Sequence, residues 1–369
     1  MRVERYNCFR RWLIRVLVYE YIFRNISFSR IERFLGKAKI TRKCLENTRL
    51  FNYEKELSRL GLVDRLSIRY SIPRWIVDYI WRNGLVRGEG ELEELVRALH
   101  GPQPTWIRVN LLKTSREKLV GLLEDKGVIA EEDPLLPDML LIVKGKEKLT
   151  RLKEYRDGLF IFQNRATALV AHVLEPERGA LVYDLCSAPG GKAFHKASLT
   201  GCGSYVVGVD VSNRRLETMA ELSERLGALD CVDPLGGDVL RAPIIRKAKY
   251  IVLDPDCTSI GRMGHSPEIK LWITPVDIAR MARLQRQLLH KTVELGAPGA
   301  RIVYSTCTIT LEENEENVKT VLDTHPGLRL VEPGIPLGEP GIGLKETRRL
   351  YPHLHKSIGF YLALLELEK

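Results

Sequence analysis

The spacing of apolar residues changes twice along the chain and marks out three stretches. Over residues 8–100 apolar side chains recur every three to four positions. Phe9, Trp12, Leu13, Val16, Leu17 and Tyr19 do so with arginines between them, and this spacing predicts helix. Pro73 in Ser71-Ile-Pro-Arg-Trp75 stands where a helix can begin, with Trp75, Ile76, Tyr79 and Ile80 as its apolar face. Glu91 to Leu99 reads as another short helix, stopped by His100-Gly-Pro102. The aromatic residues of these helices are expected to be core residues, with no base-stacking role.

After Pro104 the pattern shortens. Thr105–Leu111 is strand-like, Ser115 can cap a helix over Arg116–Lys126, and Gly127 stops it. Met139–Val143 and Gly158–Phe162 are further short strands, which makes a small α+β module of β-α-β-β order. Modules of this kind often bind RNA through their sheet, yet this one lacks the aromatic ribonucleoprotein signature, and it could equally be a spacer. From about residue 164 strands and helices alternate. Leu181–Asp184, Tyr205–Val209, Tyr250–Leu253 and Arg301–Tyr304 are near-continuous apolar runs, as buried parallel strands are. Helical stretches such as Asn213–Leu226 and Val276–Leu295 lie between them. The expected architecture is α/β, a doubly wound Rossmann-like sheet preceded by a helical domain and the small module. The expected boundaries are 1–103, 104–162 and 163–369.

Composition narrows the class of protein. The chain has 369 residues, 44% hydrophobic and 28% charged, the balance of a folded chain with more than one domain. No apolar run reaches the roughly 18–20 residues of a membrane helix. The stretch Arg11–Glu20 is broken by Arg15 and Glu20, so neither an anchor nor an export signal is expected, and a cytoplasmic monomer is. Seven cysteines spread from Cys8 to Cys307 without CxxC pairs, so they read as free thiols rather than a disulfide framework. His353 and His355 have no nearby partner in the sequence that would complete a site, and no metal is expected.

The net charge of +10 is unevenly placed. Residues 1–50 carry 13 Lys and Arg against 4 Asp and Glu, and the remainder of the chain is nearly neutral. A basic arm on a neutral body suits a polyanion, most often nucleic acid, although a solvated cationic helix face would look the same.

Candidate chemistry lies at the strand ends of the third stretch, where open α/β sheets bind ligands. The strand ending at Asp184 runs into Leu185-Cys-Ser-Ala-Pro-Gly-Gly-Lys192, whose small residues let backbone pass close beneath a ligand. The spacing is not G-x-G-x-x-G, which disfavours a pyrophosphate-bound dinucleotide. Asp210 ends the next strand, where a carboxylate can accept ribose hydroxyls, and Asp238 follows the third, within reach of an adenine amino group. A small-residue loop with two strand-end carboxylates points to an adenosyl ligand.

Two later strand ends each bear a cysteine, in Leu253-Asp-Pro-Asp-Cys-Thr-Ser-Ile-Gly261 and Tyr304-Ser-Thr-Cys-Thr308. One thiolate could add to carbon-6 of a pyrimidine, making carbon-5 nucleophilic enough to take a methyl group. A second group must then remove the carbon-5 proton so that the first thiol can leave. Thiols suit both tasks, provided a cation such as Lys192 or a hydrogen-bond donor assists ionisation. A lone cysteine of this kind would more often be a small core residue.

Together, Cys186-Ser-Ala-Pro-Gly-Gly-Lys192, the Asp254-Pro…Cys257 loop and Ser305-Thr-Cys-Thr308 resemble the motifs of the Sun-domain (Fmu-type, RsmB-like) RNA cytosine-5 methyltransferases. The likeness is nearest to the archaeal enzymes acting on tRNA or rRNA. It continues through Gln163–Ala166, Glu312–Glu316, Pro352–Ala363, Tyr70–Trp75 and Ile107–Asn110, and so covers about residues 60–369. The resemblance implies a class I methyltransferase fold and S-adenosylmethionine as cofactor. It implies Cys307 as the nucleophile, Cys257 in product release, and Asp254 with Lys192 at the cytosine ring. Cys186, Ser187, Ala188, Pro189, Gly190, Gly191, Lys192, Asp210, Arg215, Asp238 and Asp254 would form the cofactor site.

Two features stand apart from that pattern. Where the family has Pro-Cys-Ser-Gly, this chain has Asp256-Cys257-Thr258-Ser259, and a carboxylate sharing the pocket with Cys257 would disfavour its thiolate. The alternative is that Asp256 points away. The run Tyr304–Leu311 with Ser357–Phe360 is similar to the branch that modifies tRNA acceptor stems. That branch usually carries an extra RNA-binding domain, for which the stretch Trp106–Phe162 is short. Transfer RNA is therefore the first expectation and ribosomal RNA the second. An RNA-binding ribosome-assembly factor with weak catalysis is the alternative function. DNA methylation, which uses the cysteine of the Pro-Cys loop, is disfavoured by Thr306-Cys307.

Overall fold

The computed structural model describes residues 7–49, 52–242, 244 and 246–368. Arg2 and Arg5, two of the basic residues expected in the N-terminal arm, lie outside this set. The chain divides into two compact units after Arg69.

The first unit is helical, with α1 (Cys8–Ile22), α2 (Phe28–Ala38), α3 (Arg42–Arg49), α4 (Tyr53–Leu57) and α5 (Leu62–Tyr70), which reaches one residue past the division. Asn7 caps α1 by accepting from the Arg10 amide at 3.0 Å. The core of the first three helices is Ile14, Leu17, Tyr21, Ile31, Leu35 and Leu45. This corrects the expected helix face. Leu17 is buried, but Phe9, Trp12, Val16 and Tyr19 are 49–67% exposed, because Ile14, Leu17 and Tyr21 form the stripe facing α2 and α3. With apolar residues on both sides of α1, spacing alone does not choose the buried side.

The second unit begins with α6 (Arg74–Arg82), whose N-cap is Pro73, and α7 (Glu89–His100). Ile76 and Ile80 of α6 are buried, whereas Trp75 and Tyr79 are half-buried. A small sheet follows, built from β1 (Thr105–Val109), β2 (Ile129–Glu132), β3 (Met139–Lys144) and β4 (Phe160–Phe162) in the order β2-β3-β1-β4, all neighbours antiparallel. Helix α8 (Arg116–Glu124), capped by Ser115, and the short α9 (Lys153–Arg156) accompany it. The module therefore has one strand more than expected. β2 is an edge strand of exposed or half-exposed residues ending in Glu131-Glu132, and it lacks the apolar run that marks its neighbours.

The large sheet holds the site. Its parallel strands are β5 (Leu181–Leu185), β6 (Tyr205–Asp210), β7 (Val232–Gly236), β8 (Ala248–Leu253) and β9 (Gly296–Thr306), in the spatial order β7-β6-β5-β8-β9. Helices α10 (Arg165–Leu174), α11 (Gly191–Leu199) and α12 (Asn213–Leu226) belong to this part of the chain, followed by α13 (Ile269–Trp272), α14 (Pro275–Leu295) and α15 (Glu315–Thr324). Successive strand residues feed two separate cores. Val182, Val206, Val252 and Val303 pack with Leu169, Phe194 and Met219 on one face, while Tyr183, Ile251, Ile302 and Tyr304 pack with Leu289 and Val318 on the other. Beyond β9 the sheet turns antiparallel through β10 (Leu328–Val331), β11 (Glu339–Pro340), β12 (Arg348–Leu350) and, after the short α16 (Pro352–His355), β13 (Phe360–Leu367), which pairs with β9.

Buried charge ties the sheet to its helices. Asp184 at the end of β5 accepts from Lys196 of α11 at 2.6 Å, both side chains wholly buried. Removing either partner would strand the other charge, at a cost of about 3–5 kcal/mol. One expectation about cysteines is corrected: Cys202 and Cys231, which precede the neighbouring strands β6 and β7, are joined by a disulfide. Their spacing of 29 residues gives no sign of this, and the turn after α11 brings their Cα atoms to 5.4 Å. The other five cysteines are free.

Candidate active site

Three loops at the carboxyl ends of β5, β8 and β9 enclose a cavity of about 960 Å³. The first loop leaves β5 at Cys186 and turns sharply. Cys186 and Gly190 both have left-handed backbones, and a Cβ on Gly190 would come within 2.5 Å of the Phe194 ring. Gly191 then opens α11, and a Cβ there would meet nothing within 4 Å. Cys186, Ser187, Ala188, Pro189, Gly191, Lys192, Arg215 and Asp254 all line the cavity.

Gly190, Asp210 and Asp238 are not among the lining residues. Buried Asp210 accepts from the Ala188 amide at 3.0 Å and the Ser212 amide at 2.9 Å, so it shapes the loop from beneath. Asp238 accepts from the Leu240 amide at 3.0 Å and lies 3.6 Å from Arg241. Arg215 donates to the Ala188 carbonyl and lies 3.7 Å from both Asp210 and Asp256.

The two cysteine loops leave adjacent parallel strands, which sets their sulfurs 3.1 Å apart. Ser259 Oγ stands 3.3 Å from Cys307 and 3.7 Å from Cys257. The pair is polarised. Hydrogen bonding from Cys257 lowers the Cys307 thiol from its ordinary value, against burial and the Asp254 charge, with Ser259 and Arg262 assisting. The same contact, together with burial and the nearby Glu313, pushes Cys257 well up. Cys307 is thus the sulfur prepared to be a thiolate. Lys192 contacts Asp254, whose other oxygen accepts from Ser305 at 2.7 Å. Burial opposes the Lys192 charge, but Asp254 outweighs it and holds the ammonium above its ordinary value. Asp256 lines the same cavity as the two sulfurs, with its side chain 78% exposed and 3.7 Å from Arg215.

Several residues of the quoted motifs acquire a physical role only in three dimensions. Glu313 is fully buried and accepts from the Thr258 amide at 2.9 Å, Gln285 at 2.9 Å and Thr310 at 2.8 Å, binding the two cysteine loops together. Burial raises its carboxyl despite these donors. Gly261 and Gly359 meet backbone to backbone, and a Cβ on Gly261 would fall 2.0 Å from the Gly359 carbonyl. The Gly261 amide reaches the Cys307 carbonyl at 3.1 Å, so this close approach also fixes the Cys307 loop. Buried Arg108 donates to Gln163 and, at 2.7 Å, to the Gly191 carbonyl, and burial pushes its pKa down to about 10. Asn110 donates to Gly158 at 2.8 Å and Leu226 at 2.9 Å, which fastens β1 to α12. Asp138 accepts from His172 and His195, both at 2.7 Å. Burial pushes His195 down to about 3, which leaves it a neutral donor.

The cavity suits a polar, hydroxyl-bearing ligand. Ser187, Gln163 and Asn164 each turn a buried polar atom without a protein partner among the described residues, and all three line it. The strand order β7-β6-β5-β8-β9, an antiparallel β13 beside β9 and a small-residue loop after β5 define a class I S-adenosylmethionine-dependent methyltransferase.

Known proteins give the finer assignment. The family described as 16S rRNA methyltransferase RsmB/F matches residues 171–366, and its ferredoxin-like domain matches residues 72–147. The tRNA (cytosine(72)-C(5))-methyltransferase of Pyrococcus horikoshii is 37% identical over 224 residues, which is 60% of this chain and 56% of that enzyme. The crystal structure of PH0851 superposes with a TM-score of 0.81 and 32% identity, covering 100% of this chain and 84% of that one. The crystal structure of NSun6 from Pyrococcus horikoshii, solved with the S-adenosylmethionine analogue SFG, has a TM-score of 0.73 and 28% identity over 80% of this chain and 98% of its own. The chain belongs to the RsmB/F family of RNA cytosine-C5 methyltransferases.

Proposed function

We propose that this protein methylates carbon-5 of a cytosine in a structured RNA through a covalent adduct on Cys307. The observation that carries the reading is the polarised sulfur pair, 3.1 Å apart in one cavity with the Lys192–Asp254 contact. S-adenosylmethionine, held by the loop 186–192 with Asp210, Arg215, Asp238 and Asp254, supplies the methyl group.

The steps assigned to the chain are those the family resemblance implies, and the closeness of the two sulfurs supports them. Cys307 thiolate adds to carbon-6, forming a carbon–sulfur bond and pushing electron density to carbon-5. Asp254 accepts from the cytosine amino edge and supports a protonated ring, while Lys192 balances its charge. Cys257 passes its own proton to the ring nitrogen as Cys307 adds. Once carbon-5 carries the methyl group, the Cys257 thiolate takes the carbon-5 proton. The carbon-6–sulfur bond breaks with its electron pair returning to Cys307, and the ring-nitrogen proton leaves to water. The target base must leave its stack to reach both sulfurs.

The division 1–103, 104–162 and 163–369 assigns RNA gripping to the basic arm and the small module, and chemistry to the last segment. Transfer RNA is the favoured substrate, supported by the relative that acts on cytosine 72 of tRNA. Ribosomal RNA is second, supported by the family description. The enzyme works as a monomer in the cytoplasm, without a metal. Among the described residues no helix is long and apolar enough to cross a membrane. Bisulfite sequencing of total RNA incubated with the protein and S-adenosylmethionine tests the reading. A new 5-methylcytosine supports it, and no methyl transfer to any RNA would leave the RNA-binding assembly factor.

A further inference from the structure

Beside the cysteine pair, on the side away from the 186–192 loop, lies a second groove of about 400 Å³. The cavity and the groove share Cys257, Ser259, Arg262, Ser266 and Met281, while the groove includes no residue of 186–192. Its rim is the four-residue helix α13 and the start of α14. There Leu271, Trp272 and Val276 are 71%, 61% and 76% exposed, three large apolar side chains within six residues. Trp272 itself lines the groove. Large side chains seldom gather on a surface without something to cover them.

The groove lining carries two arginines, Arg262 and Arg280, against two carboxylates, Glu268 and Asp277, so it is the free guanidinium beside the apolar side chains that bears on the occupant. Arg262 is exposed, lies in both hollows, and among the described residues has no carboxylate within ion-pair distance. Arg280 is already engaged by Asp277 at 2.7 Å, and Asp277 also accepts from Thr274, so that end of the groove is fixed by the start of α14. An exposed indole beside an uncommitted guanidinium suits an unstacked nucleobase and its phosphate. Strand continuity points the same way. A cytosine whose carbon-6 lies at Cys307 is covalently joined to its neighbours, and the groove opens from that point.

We propose that this groove is a subsite for the unpaired nucleotide adjoining the target cytosine, its base stacked on Trp272 and its phosphate beside Arg262. The inference rests on the methyltransferase reading and adds a determinant of sequence context to it. Trp272 is a positioning residue, since it touches the neighbouring base and leaves the reacting atoms alone.

The test uses the full chain and two labelled nine-nucleotide RNAs with one central cytidine. One has adenines on both sides of it and the other has abasic riboses there. Dissociation constants by fluorescence anisotropy are expected to favour the adenine-flanked RNA about tenfold in the wild type, as base–aromatic stacking does. W272A should bind both RNAs alike, at the weaker value, and W272F should restore most of the preference. An undiminished preference in W272A, or none in the wild type, overturns the subsite. Binding of S-adenosylmethionine, measured alongside, should be equal in all three proteins, and a loss confined to W272A would reassign Trp272 to the cofactor side. If the flanking preference holds while no RNA is methylated, the methyltransferase reading fails and the groove stands.

Discussion

The carboxylate of Glu313 accepts from the backbone amide of Thr258 at 2.9 Å, so a residue from the loop after Cys307 holds the residue next to Cys257. The spacing of the two sulfurs is a consequence of this clasp as much as of the parallel pairing of β8 and β9. Replacing Glu313 by Ala leaves the Thr258 amide, Gln285 and Thr310 without their acceptor. A loss of roughly 2–4 kcal/mol in stability is expected. Activity should fall further than stability explains, because the sulfurs lose their register. Urea titration and initial rates at a temperature where the variant is folded check both. E313Q, which keeps the shape and one acceptor oxygen, should lie between.

The same pair sets a pH dependence. Cys307 is lowered because Cys257 donates to it, so its thiolate persists to lower pH than that of a free thiol. Removing the donor in Cys257→Ala should raise the Cys307 pKa and move the rising limb of RNA-adduct formation to higher pH. Cys257→Ser retains a donor and should move it less. Single-turnover adduct yield from pH 6 to 9 checks the order, and coincident profiles for the two variants would separate Cys307 ionisation from Cys257.

The disulfide between Cys202 and Cys231 closes a loop with a sequence separation of 29. Loop-closure entropy alone then predicts a loss of about 3–4 kcal/mol in Cys202→Ser. Neither sulfur lines the cavity, so methyl transfer at temperatures well below unfolding should be unchanged. Guanidinium unfolding with and without a reductant checks this, and the variant should be insensitive to the reductant.

Arg11 and Arg15 are exposed on α1, with Arg15 stacked on Trp12 at 5.0 Å. If the basic segment grips phosphates, changing both to Gln should weaken RNA binding and reduce the slope of log K against log salt by about 1–2. Cofactor affinity should not change. An unaltered slope would return these arginines to a solvated helix face.

How much of this was legible in the residues depended on the range of the interactions. The strands β5, β6, β8 and β9 were plain because burial on both faces demands unbroken apolar runs, as in Tyr250-Ile-Val-Leu253. The site loops could be located because ligands meet such sheets at strand ends. The edge strand β2 was not, since one exposed side leaves Ile129-Ala-Glu-Glu132 without a pattern. The inward face of α1 depended on which side α2 and α3 cover, and spacing cannot state that. Glu313, Gly261 and Asn110 stood within or beside quoted motifs, yet their partners lie 55, 98 and 116 positions away in the chain. The bridge from Cys202 to Cys231 was hidden for the same reason.

In the proposed mechanism Cys307 bonds to the base and Cys257 frees it. The most direct measurement is denaturing electrophoresis of Cys257→Ala and Cys307→Ala after incubation with RNA and S-adenosylmethionine. A slowly migrating protein–RNA species should accumulate in Cys257→Ala and be absent in Cys307→Ala. Normal turnover by Cys257→Ala with no such species, or an adduct that survives loss of Cys307, would contradict the account.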